Sequence, residues 1–397
     1  MQSALILLVI VLVAGVLIHP KLAKAPLWLA TITPLASIIG SGFLVLGPIL
    51  EDSYGYLAPA VMLVLCGGAY LFGAAIRANM ITIDREAGRR RRVEARLETL
   101  SSWSLAFAYI ISVAYYLNLF GAFGVSLTPV ADTFHARLLS SAIFLLILLI
   151  GWTRGFSGLE RLEQVSVGIK LAIIGGLLFG LTHYFARQAA AGDLVFNPLN
   201  VTGWDGVTLA FGLIVTVQGF ETSRYLGATY DVKTRIRSMR LAQGISTAIY
   251  MVYISLLAYS LPRGTMPLDE TAIIAAMEIV APILPLLLVV AALSAQLSAA
   301  VADTSGSGGL IEELAGKRIT ARQAYAILVA AGLVLTWTTN VFQIISYASR
   351  AFALYYVLQA AIATVGAWRN RDAKRMTIFA TATILAALIV AFGRSVE

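Results

Sequence analysis

Residues 36–48 read Ala-Ser-Ile-Ile-Gly-Ser-Gly-Phe-Leu-Val-Leu-Gly-Pro, in the middle of an apolar segment long enough to cross a bilayer. Gly40, Ser41 and Gly42 lie about halfway along this segment, and such residues let a membrane helix come apart. A break at mid-depth leaves backbone polar groups without water, so it survives only where protein or a polar cavity surrounds it. Many secondary transporters bind their substrates at breaks of this kind. The other interpretation is that the glycines let a neighbouring helix pack closely.

The composition restricts the class of protein. The chain has 397 residues, of which 59% are hydrophobic and 13% charged, and its mean hydropathy is +0.84. These values exclude a soluble domain and predict an all-α polytopic membrane protein. The single cysteine, Cys66, lies in an apolar segment, which excludes internal disulfides and cysteine metal sites. The three histidines form no cluster in the sequence, so we expect no metal and no cofactor.

Apolar windows of about 20 residues predict about twelve transmembrane spans. We number them 0 to 11: 2–18, 27–50, 57–80, 102–125, 138–153, 162–184, 206–229, 239–262, 281–302, 321–338, 341–367 and 375–393. Span 0 has no preceding basic residues and ends at His19-Pro20-Lys21, a poor cleavage site, so we interpret it as a retained helix rather than a signal peptide. We therefore expect an extra N-terminal helix at 1–20, a core from 27 to 367 and a final helix at 375–393.

The loops predict the topology. Alternate loops hold 23 of the 29 lysines and arginines, including four consecutive arginines at 89–92. Positive residues stay on the cytoplasmic side, so the N-terminus is expected outside and the basic loops inside, in the cytoplasmic membrane. The net charge of +8 is then mainly a topology signal. It does not indicate nucleic acid, and the arginine run is a candidate contact for anionic membrane lipid.

Four charged residues within or at the ends of the spans are the main candidates for a buried role. They are Lys170 in span 5, Glu221 in span 6, Asp303 at the end of span 8 and Arg350 in span 10. A charge at mid-membrane costs at least about 2.5–3.5 kcal/mol on insertion scales, so such residues mark function or pair with each other. Asp303 has a third interpretation, a solvated residue at a helix end.

The spacing of these features predicts an internal repeat. Gly42-Phe43 in span 1 matches Gly219-Phe220 in span 6, 177 residues later. Lys170 follows Gly42 by 128 residues, and Arg350 follows Gly219 by 131. Each half therefore begins with a broken helix and carries a cation in its fifth helix. Five helices is an odd number, so the halves 27–184 and 206–367 are expected to be inverted relative to each other.

The motifs resemble those of the amino acid–polyamine–organocation superfamily, whose transporters share the leucine-transporter fold. Ile38-Ile39-Gly40-Ser41-Gly42-Phe43 resembles the signature of helix 1, and Gly219-Phe220-Glu221-Thr222-Ser223 that of helix 6. The basic stretch 230–240 occupies the place of the loop after helix 6, and 162–171 is similar to members in which a lysine replaces a sodium ion. The resemblance covers about residues 27–370. Span 0, the single helix after the core and the position of Arg350 depart from it.

The resemblance implies a substrate site between the two breaks. It assigns a substrate carboxylate to the first break, a substrate ammonium to carbonyls of the second, and a gate or plain packing to Phe220. Tyrosines 109, 115, 116 and 347 are candidate cavity hydroxyls, with packing as the alternative. The expected substrate-binding residues are Ile39, Gly40, Ser41, Gly42, Gln218, Gly219, Phe220 and Tyr116.

The resemblance also implies how transport is coupled. In sodium-coupled relatives a cation bridges helix 1 and hydroxyls of helix 8, for which Ser294 and Ser298 are the candidates here. Lys170 resembles the lysine that places an ammonium at that position, which favours proton coupling or exchange over sodium. Glu221 resembles a glutamate that senses protonation, with a pair to Arg350 as the alternative.

The predicted function is secondary active transport of an amino acid or a related small amine or carboxylate. The alternatives are an inorganic-ion carrier and a receptor-like protein that does not transport. No nucleophile elbow, phosphate-binding loop or His/Glu metal motif is present, so we do not expect an enzyme.

Overall fold

The structure, a computed structural model, describes residues 2–40, 42–86, 92–155, 160–264 and 269–396. Within these ranges the secondary structure is helical. The α-helices are α1 (Gln2–Ile18), α2 (Pro20–Ala23), α3 (Pro26–Ile38), α4 (Gly42–Tyr54), α5 (Ala58–Glu86), α6 (Arg92–Val125), α7 (Thr133–Thr153), α8 (Glu160–Ala191), α9 (Gly203–Gly212), α10 (Val232–Ser260), α11 (Ala272–Val280), α12 (Leu284–Leu314), α13 (Ala321–Thr338), α14 (Val341–Arg369) and α15 (Ala373–Phe392). Short 3₁₀ segments cover Gly55–Leu57, Ile214–Val217 and Phe220–Ala228.

The all-α polytopic class is confirmed. Within the described ranges, 8 helical stretches are long and apolar enough to cross a membrane, with Gly42–Glu86 taken as one stretch. Two shorter apolar helices, Gln2–Ile18 and Pro26–Ile38, stand beside them. The total of twelve spans, their orientation and the division into two inverted halves stay predictions.

Both predicted breaks interrupt their helices. In the first segment α3 ends at Ile38, Ile39 leaves helical geometry (φ −85°, ψ 55°), and α4 begins at Gly42. In the second, α9 ends at Gly212 and a 3₁₀ turn follows at Ile214–Val217. Extended Gln218 (φ −80°, ψ 176°) and left-handed Gly219 (φ 112°) then separate this turn from the next 3₁₀ segment.

The long helices α6, α12 and α14 form the centre of the bundle, and α10 packs against α3 and α5 beside the breaks. The extra helix α1 lies along α8. Its Ile6, Ile10 and Val13 face glycines 175, 176 and 180 of α8, where a Cβ atom would contact them. The missing side chains let the two backbones approach closely.

Ion pairs cross the end of the bundle that carries the basic loops, which we call the basic end. Arg224 pairs with Glu98 of α6 and donates to Gln359 of α14. Arg369 pairs there with Glu86 and, at 3.1 Å, with Glu94. Arg224 thereby ties the segment after the second break to α6 and α14, and Arg369 ties α14 to α5 and α6.

Candidate functional site

The two broken segments touch backbone to backbone. A Cβ atom on Gly42 would lie 2.8 Å from Cα of Thr216, and one on Gly219 would lie 2.7 Å from the carbonyl carbon of Ser37. Gly219 also has a φ of +112°, a backbone conformation that residues with a Cβ atom rarely adopt. Glycine is therefore required on both sides of this contact. The glycines permit the close approach, and the loss of helical geometry at Ile39 shows the break itself.

Tyr250 of α10 joins the breaks. Its hydroxyl lies 2.6 Å from the Thr216 carbonyl oxygen and 3.0 Å from that of Ile38, and it donates its one proton between them. The side chain is fully buried. One residue of α10 thus stabilises carbonyl groups from both interrupted helices.

Ser349 of α14 satisfies backbone groups that the second break exposes. Its hydroxyl accepts from the Val215 N–H at 3.1 Å and donates to the Gly212 carbonyl at 2.6 Å. Interrupting a helix leaves such groups without intrahelical partners, and burial makes their pairing obligatory. The serine therefore replaces the hydrogen bonds that a continuous helix would make.

Gln218 connects the second break to α6. Its side-chain N–H donates to the Tyr116 hydroxyl at 3.0 Å, and both side chains are buried. The oxygen of the same side-chain amide, Oε1, is buried without a hydrogen-bond partner among the described residues. The carbonyl of the adjacent Gly219 already accepts two hydrogen bonds from Thr222, at 2.8 and 3.2 Å.

Glu221 is fully buried at the start of the following 3₁₀ segment. Its Oε2 accepts from the Gly219 N–H at 3.0 Å and from the Tyr356 hydroxyl at 3.2 Å. Its Oε1 has no hydrogen-bond partner in the described part of the chain. Phe220 stacks on Tyr356 at 5.4 Å, and Tyr356 in turn stacks on Phe72 at 4.9 Å, so Phe220 belongs to a packed group of aromatic rings.

Lys170 of α8 reaches the first break. The side chain is 4% exposed, and Nζ donates to the Ala36 carbonyl at 2.8 Å. One turn earlier, the Ser166 hydroxyl donates to the Ser294 carbonyl at 2.8 Å, so α8 bridges α3 and α12. The Ser294 and Ser298 side chains are half-buried on α12.

The structure places Arg350 away from the breaks. Arg350 is exposed, and its Nε donates to the Gly393 carbonyl at 2.7 Å. Among the described residues it makes no ion pair with Glu221, so the expected pair and the expected buried cation of the second half are wrong. Tyr347, one helical turn earlier, is 42% exposed, and its role as a cavity hydroxyl stays a prediction. Both residues lie on the exposed face of α14.

Asp303 is not a solvated end residue. It is 5% exposed, because α12 continues to Leu314, and the Ser112 hydroxyl of α6 donates to its carboxylate. Sequence reasoning also missed Tyr250 and Ser349, since a tyrosine or serine in an apolar span gives no signal that distinguishes it from ordinary packing.

A void of about 10 Å³ adjoins the breaks, lined by Ile38, Val217, Tyr250 and five further residues that include Cys66. That volume holds at most one water. Ile39 and Gly40 are buried beside it, and Ser41 lies outside the described residues. Among the described residues, no group of three or more His, Cys, Asp and Glu is placed to hold a metal ion.

Comparisons with known proteins agree with this architecture. A solved structure, the substrate-bound outward-open state of a Na⁺-coupled sialic acid symporter, aligns with a TM-score of 0.56 at 15% identity over 100% of this chain and 98% of its own. At that identity the likeness shows the fold alone. An uncharacterized protein of Aquifex aeolicus (strain VF5) is 39% identical over 398 residues, or 96% of this chain and 94% of that protein. A family model described as APC superfamily transporter matches residues 20–393. The chain therefore belongs to the APC superfamily of transporters.

Proposed function

We propose that the protein is a secondary active transporter for an amino acid or a related small amine or carboxylate. The observation that carries the proposal is the contact of the two breaks, Gly42 against Thr216 and Gly219 against Ser37. Two interrupted helices that meet inside a bundle present backbone donors and acceptors to one location. Such a location suits a small molecule that carries both a carboxylate and an ammonium.

The two ends of the substrate are assigned to different breaks. The carboxylate binds at the first break, where α4 begins at Gly42 and the first amides of a helix have no intrahelical acceptor. The ammonium binds at the second break. There the Gly219 carbonyl already accepts from Thr222, so we assign the main contacts to Gln218 and Glu221, whose Oε1 atoms have no partner among the described residues.

We assign the coupling to protons, or to exchange, rather than to sodium. Lys170 Nζ donates to the Ala36 carbonyl beside the first break, which is where the family resemblance expects a sodium ion in sodium-coupled members. A lysine ammonium supplies the same charge and its own donors there. The sialic acid symporter is Na⁺-coupled. Its likeness to this chain is one of fold, so Lys170 decides the assignment.

Alternating access requires the basic end to open and close. The Arg224–Glu98 pair ties the segment after the second break to α6, so this pair must separate when the site opens there. Glu221 lies in the same segment, three residues earlier, and its protonation would alter its bonds to Gly219 and Tyr356. With the basic loops on the cytoplasmic side of the cytoplasmic membrane, this opening faces the cytoplasm.

A ligand screen on the purified protein tests these assignments. Thermal stability is followed with amino acids, amines, small anions and inorganic ions, with and without sodium, at acidic and neutral pH. A ligand that binds the folded state raises apparent stability by mass action. We expect an amino acid or amine to stabilise the wild type without sodium, and Lys170→Ala or Glu221→Gln to abolish the effect. Arg350→Gln, on the exposed face of α14, is the matched control and keeps it.

The other outcomes of the screen are equally informative. A shift that requires sodium would overturn the role given to Lys170. Shifts with inorganic ions alone would favour an ion carrier on the same fold. No shift with any compound, together with no uptake by proteoliposomes, would favour a receptor-like protein that does not transport.

A further inference from the structure

A cleft of about 300 Å³ lies on the flank of the bundle, between the extra helix and the core. Its walls are the last residues of α1, the short helix α2, the first half of α3 and residues 164–171 of α8. Ile18, Val165 and Ile169 line it and are 73%, 56% and 42% exposed. On the flank of a membrane-spanning bundle such apolar side chains face lipid. We call this space the α1–α8 cleft, and the function proposed above makes no use of it.

The lining of the α1–α8 cleft leaves room for a hydrocarbon chain. Gln164 apart, the lining side chains are hydrophobic or, at Gly168, missing. A Cβ atom on Gly168 would meet no other atom within 4 Å, so the absent side chain leaves open space there. One turn of an α-helix with its side chains, about 10 Å wide and about 5.4 Å tall, fills about 400 Å³. The cleft is smaller than one such turn, so it suits an acyl chain and not another helix.

Two lysines lie beside the cleft, on the turn that joins α1 to α3. Lys21 and Lys24 are three residues apart, and the Lys24 N–H donates to the Pro20 carbonyl at 3.2 Å, so they share one side of a helical turn. Both are exposed. Lys24 directly follows Ala23 of the cleft lining, which places the two Cα atoms about 3.8 Å apart. Neither lysine forms an ion pair with a residue that the structure describes.

The charge at this end of the cleft favours an anion at the depth of the lipid headgroups. The neighbouring stretch 154–163 carries two arginines and two glutamates and is neutral in sum, so it does not compensate Lys21 and Lys24. Trp28 of α3 lines the cleft, and tryptophans are enriched at headgroup level. Anionic lipids of the cytoplasmic leaflet are attracted by lysines close to the membrane surface. The apolar lining and the lysines thus match the two parts of one lipid molecule.

We propose that the α1–α8 cleft binds an anionic phospholipid. One acyl chain lies in the cleft along Gly168, and the phosphate lies at Lys21 and Lys24. The site is separate from the two breaks and does not rest on the proposed function. Two of its walls, α3 and α8, are also joined by the hydrogen bond from Lys170 to the Ala36 carbonyl. The lipid therefore packs against both helices that this bond connects.

Native mass spectrometry of the purified, delipidated protein tests the charge recognition. Phosphatidylglycerol and phosphatidylcholine with the same acyl chains are offered together in equal amounts. Each lysine near a membrane surface favours an anionic lipid by about fivefold, so we expect the wild type to prefer phosphatidylglycerol by at least about tenfold. In the double variant Lys21→Gln, Lys24→Gln the preference falls to within about twofold. The double variant Lys317→Gln, Arg318→Gln is the matched control. It removes two exposed charges from another basic loop and keeps the preference.

Gly168→Leu tests whether the acyl chain occupies the cleft. The new side chain extends into the open space beside Gly168, and overfilling an apolar site is costly. Binding of the first phosphatidylglycerol molecule should fall at least about fivefold. Gly67→Leu is the matched control, because Gly67 is exposed on α5 and also has no atom within 4 Å of its Cβ position. We expect this variant to bind the lipid as the wild type does.

Several results would overturn the proposal. Equal binding of the two lipids by the wild type, or equal loss of preference in both double variants, would show that Lys21 and Lys24 do not recognise the headgroup. Unchanged binding in Gly168→Leu, or binding of glycerol phosphate as tight as that of the lipid, would show that no chain occupies the cleft. A dimer that Gly168→Leu abolishes would identify a second copy as the occupant. The comparison of the two lipids on the wild type decides the charge recognition even if a variant fails to fold.

Discussion

Tyr250→Phe removes one hydroxyl from the point where the two broken helices are held together. The ring stays, so packing is preserved and the loss comes from the hydrogen bond shared by the Thr216 and Ile38 carbonyls. A typical hydrogen bond contributes about 0.5–1.5 kcal/mol net, and a buried group left unsatisfied costs about 1–3 kcal/mol. The adjoining void of about 10 Å³ admits at most one water, which would restore part of this. We expect the free energy of unfolding to fall by about 1–3 kcal/mol.

Tyr253→Phe is the matched control, because Tyr253 lies on the same helix and is also fully buried. Its hydroxyl reaches the Leu44 carbonyl only at 3.5 Å, the limit of a hydrogen bond, so its removal should cost less than about 0.5 kcal/mol. Both variants are unfolded reversibly in mixed micelles with increasing SDS and compared with the wild type. Equal losses in the two variants, or no loss in Tyr250→Phe, would refute the reasoning that Tyr250 holds the breaks through its hydroxyl.

Three further predictions follow from the same contacts. Gly219→Ala should lower the free energy of unfolding by about 2–4 kcal/mol, because a Cβ atom there is strained at a left-handed φ and overlaps neighbouring atoms. Gly244→Ala, with open space around its Cβ position, should raise the free energy of unfolding by about 0.5–1 kcal/mol in the same micelle assay. Similar effects at both sites would contradict this reasoning. Ser349→Ala should cost about 2–4 kcal/mol because two backbone groups lose their partner, while Ser346→Ala, whose hydroxyl bond is 3.4 Å long, should cost less than about 1 kcal/mol. Hydrogen bonds from the hydroxyl and the N–H of Thr234 hold the pKa of Asp231 below its usual range. The stabilisation that Asp231 gives as N-cap of α10 is therefore present above that range and lost as pH falls through the lowered pKa. Hydrogen exchange of the first turn of α10, corrected for intrinsic rates, should show this loss, and constant protection at acidic pH would contradict it.

The sequence is sufficient to locate the breaks and the class of fold. Gly40, Gly42 and the Gln218-Gly219 pair are unfavourable in a continuous apolar helix, and this local signal is enough to predict an interruption. The sequence also identifies Lys170 as a candidate functional residue, because a charge in an apolar span is costly wherever its side chain points. The resemblance to a family placed its ammonium only at the position of a sodium ion beside helix 1, and the partner, the Ala36 carbonyl, is seen in the structure alone.

The errors arise where a side chain's direction decides the outcome. Arg350 matches Lys170 in spacing, yet it lies on a face of α14 directed at Gly393, and spacing from a glycine does not determine a helical face. Asp303 was placed at a helix end because Asp-Thr-Ser-Gly-Ser-Gly ends an apolar window, although α12 continues for eleven residues beyond it. Tertiary packing against Ser112 keeps that polar stretch helical and buried, which no local window detects.

The glycines of α8 carry a consequence for any shortened form of the protein. They form a face that Ile6, Ile10 and Val13 cover in the full chain, and the family match begins at residue 20, after these three residues. Small residues spaced along a membrane helix are a general platform for helix pairing. Without its first helix the chain would offer this platform to any neighbour in the bilayer, including another copy of itself. In the full chain α1 occupies the place that such a neighbour would take.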